Sequence, residues 1–482
     1  MPLREVPVAT SVPRPSGAVR EVNGGTATAV LIYLGLSLQL LQVGIIPLLV
    51  AIGQDVHETP ATTSWLVTAP LLSGAVFLAV LSRLADLVGK KPVVLLALAL
   101  VFVGSLIGCF ADSFGLLLVA RVLMGAILPM LALPEAIASD TMSPKRAHVA
   151  IGAIHSGTGA GIAAGLLLGA LAATGHASWR AYFVVGAVAA AVGLVAVAVG
   201  IRDSEVRAPG GLDAVGALLL SVGLVGVLLA VTEGPKWGWA SGRVLLLGLG
   251  GLVVLALWWL QQRSAEHPLI SLRHLLAPAI RLPYAITFLA AIGIYSALSA
   301  VTRLAQTPAA TGAGYGWSPA EVAWYAVPQL LGSVACLVVI RTQVRRNRHV
   351  AALTAGVLLL VVSFALYGAL AGHSGATLLA LLLDATGLGI VLAVTQIVIV
   401  RSVPAAESGI AVGLSVVLYA IGNSVGSAVA GSLFAAHTTA AGVPALSAYR
   451  LSFLISGLAA LVALGLCVPL ARRLGSRDAV VA

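Results

Sequence analysis

The sequence SRLADLVGKK, at residues 82–91, is a short charged stretch between two long apolar runs. Gly89 permits a tight backbone bend, and Asp86 can accept hydrogen bonds at the start of the next helix. Lys90 and Lys91 would hold this turn at a membrane surface, where basic residues that flank apolar spans collect. The stretch therefore predicts a tight turn between two helices that cross a membrane.

The composition of the chain requires a membrane environment. Of 482 residues, 60% are hydrophobic and only 9% are charged, whereas a soluble domain carries about 25% charged residues. Each membrane-spanning helix needs about 20 apolar residues to cross about 30 Å of hydrocarbon. Fourteen apolar runs are present, and at that length they would occupy about 280 residues and leave short loops. The sequence predicts an all-α integral membrane protein with fourteen transmembrane helices.

The apolar runs favour helices over strands, since a transmembrane strand is shorter and alternates in polarity. They cover residues 28–50, 64–84, 92–111, 114–138, 149–173, 181–201, 213–232, 243–261, 282–302, 320–340, 350–371, 376–401, 408–434 and 449–471. This order predicts a first tail (1–27), a six-helix bundle (28–201), two inserted helices with connectors (202–281), a second six-helix bundle (282–472) and a last tail (473–482). Repeated halves place the substrate site of many transporters at the membrane midplane.

The distribution of charge gives the orientation of the chain. The net charge is +10, and with residues 1–27 in the cytoplasm nearly all basic loop residues lie on the cytoplasmic side. Those on the opposite side are Arg180, Lys236, Arg243, Arg303 and Arg450. This asymmetry follows the positive-inside rule, so we expect a multi-pass protein of the cell inner (plasma) membrane with both termini cytoplasmic. It explains the basic charge without a nucleic-acid partner.

Motifs for catalysis or metal binding do not occur in the sequence. It contains no nucleotide loop, no H-E-x-x-H metal pair and no G-x-S-x-G turn, which argues against an enzyme. Cys109, Cys336 and Cys467 all lie within apolar spans, which indicates packing residues rather than a disulfide framework or a metal site. We expect no metal and no cofactor.

The turn at residues 82–91 resembles the GxLADRxGRK signature between helices 2 and 3 of the major facilitator superfamily. DAVGALLL at 213–220, EGPKWGW at 233–239 and EHPLISLR at 266–273 resemble the extra helix pair of its fourteen-helix drug:proton antiporter family. The resemblance implies two six-helix bundles with two additional central helices. It also implies a secondary active transporter that exports amphipathic or drug-like small molecules by proton antiport with alternating access.

Two other functions remain open at this point. A nutrient or organic-acid uniporter or symporter would use the same fold for uptake, and a membrane sensor would bind a ligand without transporting it. The acid that the family carries in helix 1 is absent from residues 39–47. Coupling through helix 1 is therefore not expected, and if the chain is an antiporter its coupling proton must bind elsewhere.

The family uses this turn as a cytoplasmic gate that latches the two halves in the outward-open state. Its second basic position pairs with an acid at the end of helix 4, and the matching residues here are Lys90 and Asp140. The sequence departs from the signature at Ser82, where the family has Gly, and at Leu87, where it has Arg. The alternative is a charged turn that is merely solvated.

Two charged residues within spans are candidates for proton coupling. Arg121, in RVLMG at 121–125, resembles the RxxQG signature with Met124 in place of Gln, and the resemblance implies that it biases a coupling acid or orients an anionic substrate. A charge inside the membrane is unfavourable unless it is paired or serves a function. The alternative for Arg121 is that it caps backbone carbonyls.

Asp384 is the first choice for the residue that binds the coupling proton, since desolvation disfavours its charged form. An acid permanently bonded to Thr or backbone groups is the alternative.

Glu135 and His155 are further coupling candidates. Glu135 follows Pro134 near the inner end of span four, where an inward-facing cavity could reach it. Its alternative is an interfacial acid near Lys145 and Arg146. Imidazole groups titrate near neutral pH, but a lone histidine beside a serine is also commonly just hydrogen-bonded.

Span five is rich in glycine and resembles the antiporter motif of helix 5, without the family's proline. The candidate seal residues are Gly157, Gly159, Gly161 and Gly165. Small residues at such spacing let helices approach closely. We expect this face to pack against the second half of the molecule and to form the seal that prevents leak.

An apolar cavity with a few polar groups is the predicted substrate site, and such a cavity suits an amphipathic molecule. Its candidate residues are Gln39, Gln42, Trp65, Tyr295, Gln329, Gln396, Tyr419 and Asn423. The expected partners are the lipid bilayer and an amphipathic small molecule, with the proton as coupling ion. The expected working unit is a monomer.

Overall fold

A computed structural model describes residues 24–58, 60–63, 65–173, 178–204, 207, 211, 213–265, 278–309, 314–318, 321–345, 348–371, 373–403, 408–437 and 444–481. Within these residues, fourteen helices are long and apolar enough to cross a membrane. The predicted all-α membrane architecture is therefore confirmed. Most of the first tail and the motif at 266–273 lie outside the described residues.

Each predicted apolar run corresponds to one helix. The helices are α1 (Gly24–Val43), α2 (Trp65–Val88), α3 (Lys90–Phe110), α4 (Phe114–Met124, continued by Leu133–Thr141), α5 (Pro144–Ala173), α6 (Arg180–Gly200), α7 (Ala214–Trp237), α8 (Gly242–Ser264), α9 (Pro278–Gln306), α10 (Ala326–Arg345), α11 (His349–Ala369), α12 (Ser374–Ser402), α13 (Ser408–Ala436) and α14 (Leu446–Val481). An even number of spans places both ends of α1–α14 on one side, here called the terminal face. The other side is called the opposite face.

α4 is interrupted near its middle. A 3-10 segment, Gly125–Leu131, separates its two α-helical parts, and Pro129 lies within that segment. Pro134 begins the second part. Proline has no backbone N–H and breaks the helical ladder, while a 3-10 stretch changes the rotation of the residues that follow it. The interruption therefore sets which direction the side chains of the second part of α4 face.

The two six-helix bundles meet along a few helices. In the first half, α1 packs against α5 and α6, and α3 packs against α6. In the second half, α9 packs against α13 and α14, and α11 packs against α12 and α14. Contacts between the halves run from α5 to α10 and α12, and from α2 to α13. Together with α4 and the α2–α3 turn, these helices carry the candidate site residues.

The inserted pair lies against both halves. α7 contacts α2 of the first half and α13 of the second half, and α8 packs on α7. Asp213 caps α7 by accepting from the Gly216 N–H at 2.7 Å, and it also accepts from the amides of Gln261 and Gln262 at the end of α8. α8 presents a largely exposed apolar face, which is what a lipid-facing helix requires.

Candidate functional site

A buried ion network closes the α2–α3 turn at the terminal face. Lys90 Nζ lies 2.6 Å from Asp140 Oδ2 and 3.6 Å from Asp86 Oδ1. Lys90 and Asp86 are at most 1% exposed, so the alternative of a solvated turn is wrong for both of them. The contact between Lys90 and Asp140 is the one that the family resemblance implied.

Gly89 and Lys91 of the turn lie against the end of α6 and the residues that follow it. The Lys91 N–H donates to Asp203 Oδ1 at 3.1 Å, and Lys91 Nζ donates to the Ala198 carbonyl at 2.7 Å. Gly89 has φ of +117°, and a Cβ at this position would collide with the Asp203 carboxylate. Glycine is therefore required at residue 89, both for its backbone conformation and for the approach of α6.

Small residues lie at one contact between this turn and the second half. A Cβ built on Gly413 of α13 would lie 3.3 Å from Ser82 Oγ, and Ser82 is buried. The ion network of Asp86, Lys90 and Asp140 thus belongs to the first half alone. Ser82, the position where the sequence departs from the family signature, is the point where α2 packs against α13.

Arg121 is fully buried in α4 and is held by oxygen acceptors. Its Nε donates to the Leu66 carbonyl at 2.7 Å, and its Nη1 donates to the Leu41 carbonyl at 3.3 Å and to the Tyr182 hydroxyl. The Tyr182 hydroxyl in turn donates to the Leu41 carbonyl. These contacts match the carbonyl-capping alternative, and they join α1, α2, α4 and α6 around one cation.

Glu135 and His155 form a buried pair across α4 and α5. His155 Nε2 lies 2.9 Å from Glu135 Oε1, and both side chains are at most 1% exposed. The alternative of an interfacial acid near Lys145 and Arg146 is therefore wrong. The pairing itself was not predicted. The sequence does indicate that α4 and α5 are antiparallel neighbours, because only a short turn connects them.

Asp384 is the buried acid of the second half. It lies on α12 with 4% of its surface exposed, and its Oδ1 has no hydrogen-bond partner in the described part of the chain. The Thr386 hydroxyl donates to the Leu382 carbonyl instead. The alternative of a carboxyl fully bonded to Thr or backbone groups does not hold for Oδ1.

The predicted substrate-cavity residues fall into separate groups. Tyr295 and Tyr419 pack edge to face with ring centroids 6.4 Å apart, and Asn423 lies beside Tyr419. Polar oxygens of Gln396 and Asn423 are buried without a partner among the residues described. These side chains belong to α9, α12 and α13 of the second half.

The remaining members of the predicted cavity lie elsewhere. Gln42 lines a small cleft together with Arg121 and Pro70. Gln39 packs beside Gly161 of α5. Gln329 of α10 is buried near α5, and Trp65 begins α2. Of the eight candidates, Tyr295 and Tyr419 are in direct contact in the described part of the chain.

The glycines of α5 lie on two different faces. A Cβ on Gly157 would lie 2.7 Å from the Ile32 carbonyl, and a Cβ on Gly165 would lie 3.0 Å from the Leu40 carbonyl. Gly161 faces the Leu36 carbonyl in the same way. These three therefore pack against α1 within the first half, and the prediction that they contact the second half is wrong. The spacing of four residues explains this, because it aligns side chains along one face of a helix.

Gly159 does face the second half. A Cβ at this position would meet Ser333 of α10, and one at Gly152 would meet Ile340 of the same helix. These two glycines are seven residues apart, which places them on one face two turns from each other. Contact between α5 and α10 is thus made by this second glycine face.

A surface clamp holds the opposite face of the first half. Asp55 Oδ2 accepts from Trp179 Nε1 at 3.0 Å and from Arg180 Nη1 at 3.1 Å. These hydrogen bonds lower the pKa of the Asp55 carboxyl. Arg180 also donates to the Ala111 carbonyl at 3.0 Å and lies 4.1 Å from the Trp179 ring centroid. The clamp joins the segment after α1 to the end of α3 and the start of α6.

Comparison with known proteins identifies the family. The sequence profile described as Major Facilitator Superfamily matches residues 27–427, which is most of the chain. The chain belongs to the Major Facilitator Superfamily. The tetracenomycin C resistance and export protein of Streptomyces glaucescens is 29% identical over 392 residues, which cover 80% of this chain and 71% of that protein.

Further similarities agree with this membership of the Major Facilitator Superfamily. The uridine/deoxyuridine transporter of Lactococcus lactis is 29% identical over 238 residues, a match that spans about half of each protein. The human organic anion transporter MFSD10 (TETRAN) has a TM-score of 0.65 at 18% identity, covering 93% of this chain and 100% of that one. The chain is thus a membrane transporter with the fold of this superfamily, and drug resistance and export occur among its relatives.

Proposed function

We propose that this superfamily member exports amphipathic organic compounds in exchange for protons by alternating access. The observation that carries the proposal is Asp384, a buried carboxyl whose Oδ1 lacks a partner. A buried carboxylate without a partner is strongly disfavoured, whereas the protonated acid is tolerated. Movement of the surrounding helices that exposes Asp384 to water would therefore release its proton. A return to the buried state would require that a proton bind again.

The Glu135–His155 pair offers a second site for a proton. The pair can exist as a neutral acid with a neutral imidazole, or as a carboxylate with an imidazolium. Both forms have no net charge, so both fit a dry interior better than a single charge does. Loss of a proton leaves one negative charge, which requires access to water. We propose that the pair loses its proton when the molecule opens at the terminal face, because the second part of α4 lies close to that face.

The terminal face is closed by small-residue contacts, with Ser82 against Gly413 and Gly152 against Ile340. We propose that this face is cytoplasmic and that the protein resides in a bacterial-type inner membrane, as the positive-inside distribution supports. We further propose that the closed terminal face corresponds to the state that releases substrate to the outside. Both bundles belong to one chain, so we propose that a monomer carries out the cycle.

The substrate class follows from the types of side chain that α9, α12 and α13 carry. Tyr295 and Tyr419 offer aromatic faces, while Gln396 and Asn423 offer buried polar oxygens. Aromatic walls with few polar groups fit an amphipathic ring system better than a strongly hydrated sugar or ion. The export relative named for tetracenomycin C supports the same substrate class. No nucleic acid, metal or organic cofactor enters this proposal.

A second candidate is nucleoside uptake, because one relative is named as a uridine/deoxyuridine transporter. The two candidate functions differ in the direction of transport and in the compound transported. Purified protein would be reconstituted in liposomes with a trapped pH dye, a proton gradient would be imposed, and tetracenomycin C or uridine would be added. Compound-dependent proton flux with tetracenomycin C supports export by antiport. Uridine flux in the direction of the proton gradient supports uptake instead, and tetracenomycin C flux without a proton signal contradicts coupling.

A further inference from the structure

Two histidines from different halves of the molecule meet near the terminal face. His148 lies near the start of α5, and His349 is the first residue of α11. Their ring centroids are 5.4 Å apart, and the rings pack edge to face with an interplanar angle of 84°. Each of the two residues is 8% exposed. This contact therefore brings two titratable groups together across the interface between the halves.

His148 belongs to the face of α5 that packs against the second half. It lies about one turn before Gly152, and Gly159 lies about two turns after Gly152, so all three share one side of the helix. A Cβ on Gly152 would meet Ile340 of α10, and one on Gly159 would meet Ser333. α5 and α10 are thus already in close contact, and α11 begins shortly after α10 ends. The closed interface therefore holds the two imidazole rings at a set distance.

Basic residues predominate near the terminal face on α5, α11 and the helices packed most closely against them. They are Lys145 and Arg146 on α5, Arg341 on α10, Arg348 before α11, Arg401 on α12 and Arg472 on α14. The acids of α4, which also packs against α5, already have partners. Asp140 is bound to Lys90, and Glu135 is bound to His155. A proton on either ring of the histidine pair would therefore add positive charge to a region that is already basic.

Protonation of the two rings opposes closure of the terminal face. A charged ring in the closed interface would be removed from water, which is unfavourable, and two charged rings 5.4 Å apart would also repel each other. When the halves separate at this face, both rings enter water, where imidazole binds a proton at a pH of about 6.5. The closed state therefore binds fewer protons than the open state, and acid favours opening.

We propose that His148 and His349 form a pH-sensitive contact between the halves, which opens the terminal face when the cytoplasm becomes acidic. This inference rests on the proposed function, because it takes the terminal face as cytoplasmic and the transport cycle as proton antiport. Each cycle of export brings protons into the cytoplasm. An acidic cytoplasm would keep the terminal face open, so the state that releases substrate to the outside would form less often. The contact thereby limits further proton entry.

This contact is separate from the groups that are proposed to carry the coupling proton. His155 lies two turns beyond His148 on α5, and it is paired with Glu135 of its own half. Asp384 lies on α12, nearer the opposite face. Substitutions at His148 or His349 therefore change the contact between the halves and leave both candidate coupling sites in place.

The test measures how pH changes the distance between the halves at the terminal face. The parent protein is the full-length chain with its three native cysteines replaced by alanine. It carries spin labels on Ser143→Cys and Thr342→Cys, at exposed positions of the first and second halves. Pulsed electron paramagnetic resonance in lipid nanodiscs gives the ratio of open to closed molecules from about pH 8 to about pH 5. Uptake of one proton on opening changes this ratio by up to about tenfold per pH unit.

His148→Gln and His349→Gln each replace one titratable ring by a neutral side chain that still forms hydrogen bonds. We expect the open-to-closed ratio of each variant to rise about tenfold less per pH unit than that of the parent below about pH 6.5. Either variant alone is sufficient for the test if the other does not fold.

His373→Gln is the matched control, since His373 is exposed at the opposite face, and we expect it to keep the pH dependence of the parent. Equal pH dependence in the parent, His148→Gln and His349→Gln would overturn the inference. Tetracenomycin C flux with a trapped pH dye tests the proposed function separately. A parent that opens in acid, with opening lost in the two variants, but that shows no coupled flux would support the pH-sensitive contact and contradict proton antiport.

Discussion

The two halves of the molecule hold their buried ionisable groups differently. In the first half, Lys90 pairs with Asp140, Glu135 pairs with His155, and Arg121 is bonded to carbonyl and hydroxyl oxygens. In the second half, Asp384 has an oxygen without a partner in the described residues. Paired charges fix a geometry, whereas an unpaired acid is stable mainly in its neutral form. In the first half each of these ionisable groups lies beside an oppositely charged or hydrogen-bonding side chain, and the proton of the Glu135–His155 pair is shared between two groups.

The largest expected loss of stability comes from removing the Lys90 ammonium, which lies between two buried carboxylates. Lys90→Ala leaves Asp86 and Asp140 buried without their cation, and loss of one partner of a buried pair costs about 3 to 5 kcal/mol. We expect a lower thermal unfolding midpoint in detergent. Lys91→Ala is the control, since its ammonium donates to the Ala198 carbonyl at the surface. Equal unfolding midpoints in the two variants would contradict the claim that the buried ion pairs of Lys90 stabilise the fold more than the surface contact of Lys91.

The contrast between the two acids can be tested directly. His155→Ala leaves the Glu135 carboxyl buried alone, so we expect a loss of about 3 kcal/mol in stability. Asp384→Asn replaces a carboxyl that has no partner at Oδ1 by a neutral amide of the same shape, so we expect a smaller loss than for His155→Ala. The unfolding midpoints of both variants are compared with wild type. A large loss for Asp384→Asn would indicate that this carboxyl is bonded after all.

The two glycine faces of α5 give a smaller difference. In Gly161→Ala the new methyl group presses on the Leu36 carbonyl, a backbone atom that cannot rotate away, and we expect a loss of about 1 to 2 kcal/mol. In Gly159→Ala it meets the Ser333 hydroxyl, which can rotate, so the loss should be smaller. Thermal unfolding compares the two. The reverse order would place the tighter contact between the halves instead of within the first.

The smallest effect concerns the exposed clamp of Asp55. Hydrogen bonds from Trp179 and Arg180 lower its pKa in the folded state, so the ionised carboxyl stabilises the folded chain at neutral pH. This contribution is present above the unfolded pKa of about 3.9 and is lost as pH falls through the folded pKa. We expect Asp55→Asn to unfold slightly earlier than wild type at pH 7 and the difference to vanish in acid. A difference independent of pH would contradict this assignment.

The number and order of the helices were predictable from the sequence. Apolar runs of about 20 residues with few charges can cross a membrane only as helices. The contact of Lys90 with Asp140 was also available from the resemblance of the turn. The pairing of Glu135 with His155 was not, because the 3-10 segment in α4 changes the rotation of the residues after it. The spacing of Gly157, Gly161 and Gly165 predicted a close contact but not its partner, since either neighbouring helix satisfies the same pattern.

The position of α7 has a consequence for motion. A helix that touches both α2 and α13 cannot stay fixed to both once the bundles rock against each other. Trp239, in the loop after α7, donates to Ser432 of α13 at 2.9 Å. We therefore expect the inserted pair to travel with the second bundle and to slide along α2. In that case the inserted pair would cover the side of the cleft between the two bundles that faces the lipid, and it would keep that side closed throughout the transport cycle.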